Sequence, residues 1–133
     1  MKYLEEKDFI ISTILDAVKL KEKIKISPSH KGNFDYVTEL DKAVELKIVE
    51  DIHNKYPFDN IYGEEYTHDE IKDRTWVIDP IDGTCNMVRG IPIYGTQVAL
   101  VDNNEIVLSV IYDINSSSVF VPYGTFNWSA TYK

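Results

Sequence analysis

The chain has 133 residues, 44% of them hydrophobic and 27% charged, which suits one folded globular domain over residues 1–133 and excludes a disordered or membrane-spanning polypeptide. With 14 Lys+Arg against 22 Asp+Glu, the net charge of -8 and pI near 4.8 repel a phosphate backbone and argue against a nucleic-acid partner. A single cysteine, Cys85, excludes an internal disulfide and a Cys-based zinc cluster.

The opening MKYLEEKDFI is charged and lacks the apolar core of a signal peptide, and no run of about 18 apolar residues follows to span a membrane. A cytoplasmic protein is the default expectation. Leu4, Ile11, Leu15 and Val18 fall on one helical face between Leu4 and about Ile24, with Glu5, Glu6 and Asp8 early and Lys19, Lys21, Lys23 and Lys25 late, as the helix dipole favours. Ser27-Pro28 stops that helix. Ser29 to Tyr36 is polar, carries Gly32 and Asn33, and reads as a loop. Thr38-Glu39-Leu40-Asp41 then has capping-box spacing ahead of Leu40, Val44, Ile48 and Ile52, so a second helix is expected to reach about Tyr56, before Pro57.

Strand periodicity takes over after Pro57. A short apolar step at Ile61-Tyr62 leads to Gly63-Glu64-Glu65, and a polar stretch precedes the apolar strand Thr75 to Asp79. Beyond Pro92 the pattern is a meander. Strands near Tyr94 to Val101, Glu105 to Tyr112 and Ser118 to Tyr123 are separated by turns at Asp102-Asn103-Asn104 and near Asn115 to Ser117. The expected class is α+β, two helices packed on a mainly antiparallel sheet.

The densest chemical signal is Asp79-Pro80-Ile81-Asp82-Gly83-Thr84, two carboxylates leaving a buried strand together. No Lys or Arg lies between Arg74 and Arg89 to pair with them, and charges at such a position are costly to desolvate alone. A divalent cation is the economical partner. Pro80 fixes the turn so that Asp79, Asp82 and the Ile81 carbonyl can converge, an oxygen set that suits Mg²⁺. Gly83 lets backbone amides approach an anion, and Thr84 can open a short helix whose start favours phosphate. The alternative is an ordinary Asp-Pro turn followed by Asp-Gly. Glu64 and Glu65 read equally as a solvated loop, and Asp41 as a helix cap. His30, His53 and His68 lack ligand spacing and read as surface residues.

Taken together, Asp35-Tyr36-Val37-Thr38-Glu39-Leu40-Asp41, Gly63-Glu64-Glu65 and Trp76 through Asn86 resemble the inositol monophosphatase family, within the Mg²⁺-dependent, Li⁺-sensitive phosphatases. The resemblance runs to about Phe126. It implies the N-terminal half of a sugar-phosphatase-like αβαβα fold and Mg²⁺-dependent hydrolysis of a small phosphorylated metabolite such as inositol monophosphate. By position, Glu64, Asp79 and the Ile81 carbonyl would bind one metal, and Asp79 with Asp82 a second, of two or three ions in the complete site. Thr84 and Asp41 would help Glu64 activate water, the Gly83 and Thr84 amides would hold phosphate, and Asp82 would also face substrate hydroxyls. Fructose 1,6-bisphosphatase and 3'(2'),5'-bisphosphate nucleotidase activities share this motif. These enzymes are about twice as long, and the Trp-Asp-x-Ala-Ala-Gly-like motif of their second half has no match here. A metal-binding or regulatory chain without turnover is therefore a further alternative, as is a structural domain with acidic turns. A homodimer that covers the exposed sheet face is expected.

Overall fold

A computed structural model describes residues 2–24, 29–32, 35–65, 68–123 and 127–131. The first helix, α1, spans Leu4–Val18 and runs on into a 3-10 turn, Lys19–Glu22. The second, α2, spans Glu39–Lys55, and a five-residue helix, α3, spans Thr84–Val88. Strands β1 (Ser29–Gly32) and β2 (Asp35–Val37) form a small antiparallel pair. A six-stranded sheet then carries β3 (Asn60–Gly63), β4 (Arg74–Asp82), β5 (Gly95–Asp102), β6 (Glu105–Asp113), β7 (Ser118–Tyr123) and β8 (Asn127–Thr131) in that spatial order. Only β3 and β4 run parallel; the remaining neighbours are antiparallel. The expected α+β class is what is found.

Along β5 buried and half-buried residues alternate with period two, Thr96, Val98 and Leu100 being buried, as a sheet with one covered face requires. On the covered face Trp76, Ile78, Val98, Leu100, Leu108, Val110, Val119 and Val121 meet Leu40, Val44, Ile48 and Ile52 of α2 and Ile10, Ile14 and Ala17 of α1 in one core. The α1 face differs from the expectation: Leu4 is 48% exposed, and Leu15 and Val18 are only half-buried. Phe9, Ile10, Ile11, Ile14, Leu15, Ala17 and Val18 make a stripe too wide to show which edge faces inward, and packing on α2 selects Ile10, Ile14 and Ala17. The helix also ends at Val18, so Lys19 and Lys21 lie in the following 3-10 turn and Lys23 caps it, while Lys25 lies outside the described residues. Ser27 and Pro28 lie outside the described residues.

Other boundaries shift for local reasons. The expected loop from Ser29 to Tyr36 contains β1 and β2, whose residues pair with each other rather than with the main sheet. Asn103 and Asn104 both adopt positive φ, 52° and 63°, the mirror-image turn that matches the twist of a β5–β6 hairpin. One edge of the sheet is partly covered, since the chain after β3 folds back beside it: Asp69 donates from its amide to the Ile61 carbonyl, and its carboxylate accepts from the Ile61 amide at 3.0 Å.

At the far end of β4, Asp59 binds the strand to the helices. Its carboxylate accepts from Arg74 Nε and Nη2, both at 3.0 Å, and from Trp76 Nε1 at 2.8 Å, while Arg74 Nη1 reaches Glu6 of α1 at 2.8 Å. The rings of Phe9 and Tyr56 close around Trp76 with centroids 6.3 and 5.7 Å away.

Candidate metal and phosphate site

Strand β4 loses its ladder where the acidic motif begins. Asp79 pairs with Gln97 and Asp82 with Gly95, so Pro80 and Ile81 stand opposite the single residue Thr96. This is a bulge, a place where a residue without an N–H can sit within a sheet. The Thr96 hydroxyl, fully buried, donates to the Pro80 carbonyl at 2.8 Å and holds the bulge in place. Released from the ladder, the Ile81 carbonyl lies 2.9 Å from Thr84 Oγ1, whose one proton it shares with Asp41 Oδ1, and keeps a second lone pair. Gly83 then turns the chain into α3 with φ 89°, and a Cβ there would approach the Ile93 carbonyl to 2.9 Å, so both backbone angle and space call for glycine.

Asp41 joins this turn to helix α2. Its Oδ2 accepts from the Thr38 amide at 3.0 Å and the Thr38 hydroxyl at 2.5 Å, completing the expected capping box. Its Oδ1 accepts from Thr84 Oγ1 at 2.7 Å. One buried carboxylate therefore caps α2 and holds the turn that carries the acidic motif.

Glu64, Asp79, Ile81, Asp82, Gly83, Thr84 and Cys85 together line a cavity of about 200 Å³. Glu64 and, of the acidic motif, Asp79, Ile81, Asp82, Gly83 and Thr84 meet there, with Asp41 one hydrogen bond behind; Pro80, Gly63 and Glu65 do not line it. A larger cavity of about 550 Å³ opens across Asp82 and Gly83 toward Asn86, Tyr94, Gln97 and Asp113, and Gln97 Nε2 donates to Asp82 Oδ2 at 2.7 Å across its floor. A third, of about 580 Å³, is lined instead by Leu15, Val18 and Tyr112 among others, so volume alone does not mark the acidic site. His53 and His68 are exposed, as expected, and the His30 side chain lies outside the described residues.

The electrostatics are unbalanced. Burial first, then the charge and hydrogen bond of Glu64, then Asp82 and Asp41, push the Asp79 carboxyl up to about 8 from 3.8. Asp79 Oδ1 is buried without a hydrogen-bond partner, an arrangement that buried polar atoms rarely keep. Among the described residues no three acidic, His or Cys side chains converge closely enough to enclose an ion. An all-oxygen donor set, an orphaned buried oxygen and a carboxyl whose ionisation burial and its acidic neighbours oppose fit a hard divalent cation.

The model of the inositol monophosphatase family matches residues 6–125. The chain belongs to that family. It is 47% identical over 87 residues to an inositol monophosphatase of Dictyostelium discoideum, covering 62% of this chain and 32% of that protein. It is 42% identical over 81 residues to a fructose-1,6-bisphosphatase/inositol-1-monophosphatase of Thermotoga maritima, covering 61% and 31%. A Nus factor SuhB of Vibrio cholerae matches at 36% over 106 residues, 78% and 40%. The solved inositol monophosphatase of Thermotoga maritima superposes with a TM-score of 0.83 at 29% identity, over 98% of this chain and 52% of that one. The chain thus spans about half the length of its solved relatives and matches a smaller share of the curated ones.

A pH dependence follows from Asp79. In the folded chain its proton is bound more tightly than in the unfolded one, so stability is fully present below about pH 4 and is lost as pH rises through about 8. In EDTA, urea midpoints are expected to fall between pH 5 and 9, and Asp79→Asn to lose the part of that fall that Asp79 contributes. Parallel profiles for the two proteins would refute the environment described.

Sequence reasoning missed Glu45. It is fully buried in α2, and both of its carboxylate oxygens accept from the Glu65 amide, at 2.9 and 3.0 Å. The signal was present: Glu45 stands four residues after Asp41, beside Val44 in the apolar stripe of α2, where an unpaired acid would be costly.

Proposed function

We propose that the chain binds Mg²⁺ through Glu64, Asp79, Asp82 and the Ile81 carbonyl and serves in the hydrolysis of a small phosphate monoester. The observation that carries this reading is the buried, unpartnered Oδ1 of Asp79 among carboxylates that hold its proton up to about 8. Membership of a phosphatase family supports it. Glu64, Asp79 and the Ile81 carbonyl would hold one ion, and Asp79 with Asp82 another, of two or three in the complete site. The chemistry that Mg²⁺ supplies when bound is electrostatic: neutralising the phosphate and acidifying water.

The chain's own groups divide the remaining work. Thr84 Oγ1, already donating to Asp41 Oδ1 at 2.7 Å, would pass its proton that way while accepting one from a water held against Glu64. Thr84 and Asp41 thereby form a proton path away from the cavity. The Gly83 and Thr84 amides would orient the phosphate, and Asp82, which fronts the 550 Å³ cavity, would meet substrate hydroxyls. The substrate in this reading is a polyol phosphate such as inositol monophosphate, with fructose 1,6-bisphosphate and a 3'-phosphorylated nucleotide as alternatives. No helix among the described residues is long and apolar enough to cross a membrane, and a cytoplasmic, homodimeric protein belongs to the same reading. With relatives named Nus factors, the expectation of no nucleic-acid partner rests on charge alone.

A second reading, Mg²⁺ binding without turnover, rests on the chain spanning about half the length of its solved relatives. The deciding experiment is phosphate release from a panel of phosphate monoesters by the purified chain, with and without Mg²⁺, with Asp79→Asn as control. Mg²⁺-dependent release that disappears in the variant supports hydrolysis. Calorimetric Mg²⁺ binding without release supports the second reading, and no binding at millimolar Mg²⁺ overturns both.

A further inference from the structure

The segment that carries Glu64 is held from beneath. Gly63 ends β3, and a Cβ built on it would lie 2.6 Å from Glu45 Cδ and 2.7 and 2.8 Å from the two carboxylate oxygens. Two residues on, the Glu65 amide donates to those same oxygens. The backbone on either side of Glu64 therefore rests on one carboxylate, itself fully buried in α2. Burying a carboxylate is costly unless it is well bonded, and an apolar residue would fill the stripe beside Val44 and Ile48 at lower cost. What an apolar residue could not do is grip the Glu65 amide.

We propose that Glu45 is a positioning residue for Glu64: its carboxylate pins the backbone at Gly63 and Glu65 and so fixes where the Glu64 side chain meets Asp79. The inference rests on the reading of Glu64 and Asp79 as Mg²⁺ ligands. It also explains why Gly63 has no side chain, since its φ lies outside the positive range and close packing on Glu45 is what excludes a Cβ. Asp41 and Glu45, one turn apart on α2, then support the two halves of the site, Asp41 through Thr84 and Glu45 through the Glu65 amide.

The test compares the purified chain with Glu45→Leu, Glu45→Gln and Gly63→Ala, each checked for fold by circular dichroism, using Mg²⁺ titration by calorimetry and amide exchange of Glu65 in EDTA. Glu45→Leu is expected to weaken Mg²⁺ binding at least ~10-fold, as loss of groups supporting metal ligands does, and to speed Glu65 exchange by a similar factor. Glu45→Gln keeps one acceptor oxygen and should stay within about threefold of the parent. Gly63→Ala, which pushes a methyl into the same carboxylate, should repeat the Glu45→Leu loss even if that variant does not fold. Parent-like Mg²⁺ affinity in folded Glu45→Leu or in Gly63→Ala overturns the proposal. If the parent chain itself binds no Mg²⁺, the functional reading fails, while Glu65 exchange still decides the pin: unchanged exchange in the variants overturns it.

Discussion

Asp79→Asn is expected to abolish the rise in melting temperature that Mg²⁺ gives the parent chain, lowering affinity by more than ~100-fold. Supporting residues around a metal typically cost 10–100-fold, and Asp79 would contact both ions directly. The substitution is nearly isosteric, and the new amide can donate to Glu64, which is already Asp79's hydrogen-bond partner. The fold should survive. In EDTA above pH 8 the variant should match or exceed the parent in stability, because it removes a buried charge that Glu64, Asp82 and Asp41 all oppose. A native-state ligand at 100 times its dissociation constant adds about 2.7 kcal/mol, so thermal denaturation with and without millimolar Mg²⁺ reads the effect directly. An undiminished Mg²⁺-induced shift in the variant would remove Asp79 from the ligand set.

Trp76→Ala should cost about 3–5 kcal/mol, the range for deleting a buried aromatic, and lower the melting temperature on the order of 10–15 °C. Trp76 is fully buried, packs against Phe9 and Tyr56, and donates its indole N–H to Asp59. Removing it opens a cavity where α1, α2 and β4 meet and takes one donor from a carboxylate shared with Arg74. Against a typical stability of about 5–15 kcal/mol this is a large fraction. Trp76→Phe should lose less, retaining ring packing but not the donor. Urea denaturation of the three proteins measures both steps, and an Ala variant within about 1 kcal/mol of the parent would show that this junction does not hold the helices to the sheet.

Legibility in the sequence followed the range of the interactions. The capping box at Thr38 and Asp41, the Asn103-Asn104 turn and the strand leading into Asp79 depend on neighbours within a few positions, and each was readable. The strand β8 lies beyond Phe126, where the resemblance ends, and its pairing with β7 is a tertiary fact. The periodicity of Leu4, Ile11, Leu15 and Val18 points to the wrong face of α1, because Ile10, Ile14 and Ala17 beside it are also apolar and packing on α2 decides between them. At the site, the acidic motif pointed to its own chemistry, but the reason Asp41 belongs there is a bond to Thr84, 43 positions away. Glu45 escaped because a carboxylate within an apolar stripe discloses its purpose only when the amide it grips, 20 positions on, is in view.

The parallel pairing of β3 with β4 bears on how the site comes into being. Glu64 and Asp79 each follow the last paired residues, Gly63 and Ile78, of two strands that run side by side in the same direction, so no hairpin can bring them together early. Loop closure across the polar connection, docking of α2 through Asp41 and Glu45, and registry of β4 with β5 must all come first, and each costs chain entropy before any contact repays it. A peptide spanning the acidic motif alone would lack Glu64, Asp41 and the bulge held by Thr96. Cation binding would therefore be a late event in folding, and its appearance would report that the whole topology, rather than one turn, had formed.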